Sequence, residues 1–393
     1  MRRAGGIAAV ALLVAGAFLL GFFLTRHAEP VRSAAGGYSP MEKPVPLIEE
    51  VRADLARSYY RWIDPSVLHE PTIDEMIAGL EDPHTDYLTP AEFESLTERT
   101  EGTYSGIGLT VGPSKAGLVV TSAFKGPAQT AGIRRGDVII RIDGEPARRL
   151  PFERSLALIK GEKGTVVELT VNRPNHGKIT FQVVRQEIDV PPIQSTLLEA
   201  KKKTPKLGYI RVLSFPAGTS ERVELATRRL AERGAEGAII DLRDNPGGLL
   251  SEAVETVSLY VEEGLVCKTH GAHQEFRAYE VDGNASHAAL PLVVLVNGGS
   301  ASAAEIVAAA LWENERATLV GVRTFGKASV QSIEPLSNGG ALKLTTAKYV
   351  TPLGFDISKT GIRPKVEALD DPLTKPDEGL RVARGTLLEL LAA

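Results

Sequence analysis

The stretch from Pro291 to Gln331 constrains this chain more than any other. It opens with an apolar run, Pro291-Leu-Val-Val-Leu-Val296, and breaks at Asn297-Gly298-Gly299. Ser300-Ala-Ser302-Ala-Ala-Glu305 and an alanine-rich helical pattern to about Trp312 follow. A short apolar run of this kind, bounded by glycines, reads as a buried strand. At the start of the following helix the backbone N–H groups are unpaired, and the dipole favours negative charge. Small hydroxyl residues placed there can be aimed at a substrate. A second apolar run then leads to Thr324-Phe-Gly-Lys327-Ala-Ser-Val-Gln331, read as a strand carrying a lysine.

The pattern extends upstream. Lys206–Leu213 and Gly237–Leu242 read as strands, and Ser220–Glu232 and Leu249–Val261 as helices. Arg243-Asp-Asn-Pro-Gly247-Gly248 reads as a tight turn between them. Strands alternating with helices predict a layered α/β domain with a mostly parallel sheet, over residues 189–375. Ligands of such sheets sit at the carboxyl ends of strands. Both Gly-rich turns, 245–248 and 297–299, fall at such ends. A C-terminal helix is expected over 376–393.

Before this domain, residues 101–188 form a β-rich module with two helices. Tyr104-Ser-Gly106-Ile107-Gly108-Leu109 is a Gly-rich lead-in to a strand, and Asp143-Gly144 is a hairpin turn. Together with Ala131-Gly-Ile-Arg-Arg-Gly-Asp137, these residues resemble a PDZ domain, a module that adds a peptide C-terminus to its sheet edge. The resemblance implies that Gly106, Ile107, Gly108 and Leu109 bind the tail carboxylate through backbone N–H groups. Residues 45–100 read as an N-terminal helical segment, broken at Asp82-Pro-His84-Thr-Asp-Tyr-Leu-Thr-Pro90. His84 between two aspartates would suit a catalytic or metal site, but Asp and Thr at such a turn cap helices and fix its shape, and the structural reading is taken.

At the N-terminus, Arg2-Arg3 precede an uncharged run from Ala4 to Thr25, closed by Arg26-His27. That run is long enough to span a bilayer. Residues 1–27 are read as a membrane anchor in preference to a cleaved signal peptide, with 28–44 as a Gly/Pro/Ser linker. The basic start places the remainder outside the cytoplasm, on the periplasmic or cell-surface side. With 393 residues, the chain has room for two or three cores. A net charge of −4 without a large basic block gives no support for nucleic-acid binding. The lone Cys267 excludes an internal disulfide and a cysteine-rich zinc site.

Four motifs in order, together with the PDZ-like module, resemble the carboxyl-terminal processing proteases over about residues 45–370. They are Arg243-Asp-Asn-Pro-Gly-Gly248, Asn297-Gly-Gly-Ser-Ala-Ser-Ala-Ala-Glu305, Thr324-Phe-Gly-Lys-Ala-Ser-Val-Gln331 and Ala347-Lys-Tyr-Val-Thr-Pro-Leu-Gly354. The resemblance implies a crotonase-like α/β protease core. It makes Ser302 the nucleophile, Lys327 the general base and Gln331 the residue that positions the lysine. It also implies an oxyanion hole from the N–H of Ala303 with Gly248 or Gly247, Gly248 slightly preferred. Protein substrates with unstructured C-terminal tails follow from it, with neither metal nor cofactor. A homo-oligomer or an adaptor protein is left open.

Residue chemistry is compatible with these roles. A serine hydroxyl needs an adjacent base, and none of the seven histidines lies in the Ser302 or Lys327 segments. A lysine acts as base only when largely neutral, which requires desolvation. Phe325 and Val330 are the expected desolvators, and on an extended strand Lys327, Ser329 and Gln331 would face one way. Ala304, Ala328, Phe355, Ser358 and Lys365 depart from the family pattern without touching these three roles. Two rival readings are a catalytically inactive tail-binding scaffold and a crotonase-type acyl-CoA enzyme.

Overall fold

The computed structural model describes residues 45–123, 126–189, 191–198, 204–369 and 377–393. The apolar run Ala4–Thr25 and the linker 28–44 lie outside the described residues. Among those described, no helix is long and apolar enough to cross a membrane.

The α/β domain is built on a six-stranded sheet in the order Ile193–Leu198, Lys206–Val212, Ala235–Asp241, Leu292–Val296, Ala317–Gly321, Val366–Glu367. Only the first pair is antiparallel. Period-two alternation splits each central strand between two cores. Ile240, Val294 and Val296 pack with helices Thr219–Glu232, Leu250–Ser258 and Ala303–Glu313, through Val223, Val257 and Val307. Ile239, Val293 and Leu295 pack on the other face against Ala383 and Leu387 of helix Glu378–Ala392. Burial on both faces explains why these strands read as continuous apolar runs rather than alternating ones. Three neighbouring parallel strands end at Asp241, Val296 and Gly321, and the chain after each feeds the same edge.

A second, antiparallel sheet was not expected from the sequence. Strand Ala341–Val350 pairs with Ser329–Pro335, with Leu265–Gly271 and with Asp86–Leu88, and Gln274–Glu280 extends it. The N-terminal segment is therefore not a free-standing unit. Val51, Leu55, Tyr59, Met76 and Leu80 of its helices share a core with Leu342 and Leu344. The break in its helical pattern holds the strand Asp86–Leu88, whose partners lie more than 250 residues downstream in Ala341–Lys343.

The PDZ-like module forms its own sheet, Leu109–Ser114, Gly117–Ala123, Val138–Ile142, Val166–Arg173 and Gly177–Val184, around Leu118, Ile139, Val167 and Leu169. The expected turn is present: Asp143 and Gly144 have φ of 46° and 78° and join Ile142 to Glu145. Thr103–Gly106 pairs with Gln186–Asp189 where the chain enters and leaves, close to the expected limits of 101 and 188.

Candidate active site

The two Gly-rich turns at the edge of the parallel sheet are locked to each other. Ser300 is buried; its Oγ donates to Leu242 O (2.7 Å) and accepts from Asn297 N (3.0 Å). Ala301 N donates to Asn245 O at 2.9 Å, and Asn297 clasps Asp244 through two bonds, of 2.9 and 2.8 Å. Beneath them, Arg243 pairs with Asp241 at 2.7 Å and with Asp377, the cap of the C-terminal helix, at 2.8 Å. Ser300 thus fixes turns, which leaves Ser302 as the residue preceding helix Ala303–Glu313.

Ser302 has φ of 55° and ψ of −118°, a conformation that a non-glycine residue holds only when its surroundings impose it. Glu305, fully buried, does much of the imposing. Its carboxylate accepts from Ser302 N (3.0 Å), Gly326 N (2.7 Å), Lys327 N (2.9 Å) and Thr324 Oγ1. One side chain therefore ties the serine's backbone to the loop that carries the lysine. The Tyr349 hydroxyl adds a second tie, at 2.8 Å from Lys327 O and 3.3 Å from Ser302 O. Ser302 Oγ itself makes no side-chain capping hydrogen bond of normal geometry among the described residues.

Ser302, Ala303, Gly247, Gly248, Lys327 and Gln331 all line one cleft of about 850 Å³. The two glycines do different work. Gly247 N donates to Asn245 Oδ1 at 2.8 Å, so its N–H is already committed. A Cβ on Gly247 would lie 2.8 Å from Ser302 Cβ and 3.0 Å from Ala303 N, so glycine is there for close approach. Gly248 is exposed to the cleft, and the N–H groups of Gly248 and Ala303 donate to nothing among the described residues. The earlier expectation of Gly247 as an alternative donor is thus corrected.

Lys327 is half-buried. Burial, reinforced by the nearby charge of Lys343, holds its amine below the ordinary lysine range, against the opposing pull of Asp82 and Glu305. Phe325, expected to desolvate it, is 60% exposed. The reason is local: Thr324 and Gly326 both turn inward to Glu305, so the residue between them faces out. Val330 does line the cleft. The shared strand face is also revised. The strand begins at Ser329, after the lysine, and its register shifts between Val330 and Gln331. Gln331 Nε2 donates to Ser329 Oγ at 2.8 Å, and no hydrogen bond joins it, or Ser302 Oγ, to Lys327 Nζ among the described residues.

The turn at 82–86 is structural in its bonding, as expected. Asp82 accepts from His84 N (3.0 Å) and Thr85 Oγ1 (2.7 Å), and Thr345 N donates to Thr85 Oγ1 at 3.1 Å. It nevertheless lies within electrostatic reach of Lys327. Burial, then the charge of Lys327, lowers the His84 pKa. Glu305, Tyr349, Asn245 and Lys343 were missed by sequence reasoning. Only Glu305 carried a local signal, three residues after a helix-leading serine.

In the PDZ-like module, Gly106 ends a strand, Leu109 begins one, and Gly108 has φ of 79°. Ile107 puts its side chain into the core and its carbonyl accepts from Ala128 N at 3.0 Å. The N–H groups of Ile107 and Gly108 donate to nothing among the described residues. No group of three or more histidine, cysteine or acidic side chains suited to a metal ion occurs among the described residues.

Comparison with known proteins bears on what this cleft does. The model of "Peptidase family S41" matches residues 206–368, and that of "PDZ domain" residues 95–172. "Carboxy-terminal processing protease CtpA" of Bacillus subtilis is 34% identical over 92% of this chain and 76% of its own length. "Carboxyl-terminal-processing protease" of Picosynechococcus is 39% identical over 77% of this chain and 73% of its own. Among solved structures, a photosystem II D1 C-terminal processing protease is 31% identical and has a TM-score of 0.54, covering 86% of this chain and 96% of that one. The motifs read from the sequence lie on the turns that build the cleft, and relatives sharing a third or more of their residues over most of their length are carboxyl-terminal processing enzymes. On that ground the chain belongs to peptidase family S41, the serine-type carboxyl-terminal processing proteases, with a PDZ domain preceding the catalytic core.

Proposed function

We propose that Ser302 is the nucleophile and Lys327 its general base, in an endopeptidase that captures unstructured C-terminal tails on its PDZ domain. Neutral Lys327 Nζ takes the proton from Ser302 Oγ as the oxygen attacks the scissile carbonyl. The free N–H groups of Gly248 and Ala303 receive the resulting oxyanion, each such donor contributing roughly 3–4 kcal/mol to the transition state. The protonated lysine then gives its proton to the leaving amine. An acyl-serine remains, and a water deprotonated by Lys327 hydrolyses it. The Ser302–Lys327 hydrogen bond closes when substrate fills the cleft, as catalytic contacts in empty sites are often open. Gln331 acts with Ser329 as a polar pair that steers the amine.

The observation that carries this reading is the convergence of four things on one cleft: a strained serine whose hydroxyl makes no capping bond of normal geometry, two unclaimed N–H groups beside it, and a desolvated lysine. Lys327→Arg keeps the charge but not the ability to deprotonate. Single-turnover cleavage of a tailed substrate should be lost in this variant and in Ser302→Ala, and a covalent serine reagent should label wild type but not Ser302→Ala. An active arginine variant would move the base elsewhere, first to His84.

Tail capture is read from the free N–H groups of Ile107 and Gly108 beside Gly106 and Leu109. The uncharged run Ala4–Thr25 between basic residues supports export with an N-terminal membrane anchor. Alkaline carbonate extraction of the full chain tests it: release of an N-terminally shortened product would mean a cleaved signal instead.

A further inference from the structure

Besides Lys327 and Lys160, which pairs with Glu98 at 2.6 Å, the cleft is lined by a third lysine for which the reaction as described has no use. Lys343 sits on strand Ala341–Val350, opposite Ile333 on one side and Asp86 on the other. Its side chain lines the same cleft as Lys327, Ser329 and Gln331. The carboxylate paired with Lys343 is Asp86, at 4.0 Å, with 60% of its side chain exposed. That contact is long and wet, and leaves most of the charge uncompensated.

The groups facing Lys327 come from three elements. Asp82 and His84 lie on the turn before strand Asp86–Leu88, Glu305 lies on the helix behind Ser302, and Lys343 lies on the long antiparallel strand. Both carboxylates are already engaged, Asp82 by Thr85 and the His84 backbone, Glu305 by four donors. They still attract a proton to the lysine, and His84, with its own affinity for a proton lowered, adds little charge. Of these groups, Lys343 is the one that opposes protonation by its charge. A neighbouring ammonium is an established physical means of keeping an amine neutral, because two like charges in a partly desolvated space repel.

We propose that Lys343 is a positioning residue of the protease reaction: its charge, set in the same cleft as Lys327, keeps the Lys327 amine unprotonated and ready to accept the serine proton. The inference rests on Lys327 being the base. Burial of Lys327 is the larger influence, and Lys343 adds its charge to it against the pull of Asp82 and Glu305. The device also explains why a lysine is held on a cleft wall with so loose a partner.

The test is the pH profile of kcat/KM for cleavage of a tailed substrate, in wild type, Lys343→Met and Lys343→Arg, with folding checked by melting. In Lys343→Met the rising limb should move to higher pH, with a loss of roughly tenfold at neutral pH, one pH unit's worth, that is recovered in alkaline buffer. Lys343→Arg, which keeps the charge, should keep the limb in place. High salt should move the wild-type limb toward that of Lys343→Met. An unshifted limb in Lys343→Met, or a pH-independent loss shared by both variants, would overturn the proposal, as would a change in KM alone. If Lys343→Met does not fold, Lys343→Gln serves in its place. A second readout does not depend on activity. Reductive methylation of lysines across pH, read by peptide mass spectrometry on the Ser302→Ala protein, follows the Lys327 amine directly. Its titration should rise when Lys343 is replaced. A shift in labelling that the rate profile fails to follow would mean that Lys343 tunes Lys327 but Lys327 is not the base; no shift in either would sink the inference itself.

Discussion

Among the described residues, two places proposed to receive a negative charge present backbone N–H groups without a partner, and they are built differently. At the edge of the parallel sheet, Gly248 and Ala303 are held by a mesh of side chains, most of them buried: Ser300 on Leu242, Asn297 on Asp244, Asn245 on Gly247, Glu305 on both Ser302 and Lys327. At the PDZ loop, Ile107 and Gly108 are held by one buried side chain, one bond from Ala128 and the two strands on either side. The difference matches the charges proposed for the two places. An oxyanion exists only in transit, so its donors must already be in place. A tail carboxylate is a ground-state ligand, and a loop with fewer constraints can settle around it.

The comparison breaks most sharply at Glu305. Glu305→Ala leaves buried donors unpaired and cuts the serine turn from the lysine loop. A loss of about 2–4 kcal/mol in stability is expected, since each charged hydrogen bond is worth roughly 1.5–3. Activity should fall by roughly a hundredfold or more through misplacement alone. Chemical denaturation and single-turnover cleavage would check both, and a well-folded, fully active variant would deny Glu305 its organising role.

Gly247→Ala comes next. Its Cβ would press on Ser302 and Ala303 backbone from a φ of 106°, so cleavage should drop by roughly tenfold to a hundredfold while PDZ binding persists. Calorimetry with a tail peptide, run beside the cleavage assay, separates the two effects. In the PDZ loop, the matching perturbation is on the ligand: amidating the peptide's C-terminus should weaken capture about tenfold, the worth of one charge-assisted bond. Equal affinity for both peptides would remove carboxylate recognition.

A smaller effect is expected in the opposite direction for stability. The folded-state pKa of Lys327 is depressed, so in the native protein its charged form is penalised below that pKa, and the penalty fades as pH rises toward the unfolded value. Lys327→Met should therefore raise Tm at neutral pH while abolishing cleavage, and the gain should shrink in alkaline buffer. Differential scanning calorimetry at several pH values reads the slope; a lower Tm in the variant would mean that the lysine is not destabilising in the fold. The smallest effect belongs to the ion pair between Glu98 and Lys160 of the PDZ domain, 2.6 Å apart and partly exposed. Glu98→Gln should cost under about 1 kcal/mol. It should appear chiefly as faster amide exchange along the ladder of Thr103–Gly106 with Gln186–Asp189.

Much of the site was legible because its parts are local. Asn297-Gly-Gly-Ser and Arg243-Asp-Asn-Pro-Gly-Gly announce turns by composition, and the apolar runs before them announce buried strands. Ser302, Lys327, Ala303 and Gly248 could be singled out from such segments and a family resemblance. The misreadings were matters of direction and partner. Phe325 was assigned inward because it is apolar, yet both neighbours are drawn to Glu305 and it faces out. Gln331 was placed on a straight strand, and a register shift at Val330 intervenes.

By itself, the sequence determined which segments would become strands, turns and helices around the serine, because hydrophobic period, glycine and capping residues act within a few positions. It determined the PDZ module as a unit for the same reason. Tertiary structure alone decided which glycine N–H stays free, since Asn245 claims one across a turn and leaves the other. It decided that the N-terminal helices belong to the core, through a strand pairing that spans most of the chain. It also brought Asp82, Glu305 and Lys343, far apart in sequence, within reach of one amine. Electrostatic coupling depends on distance and burial, and neither is written in the order of residues.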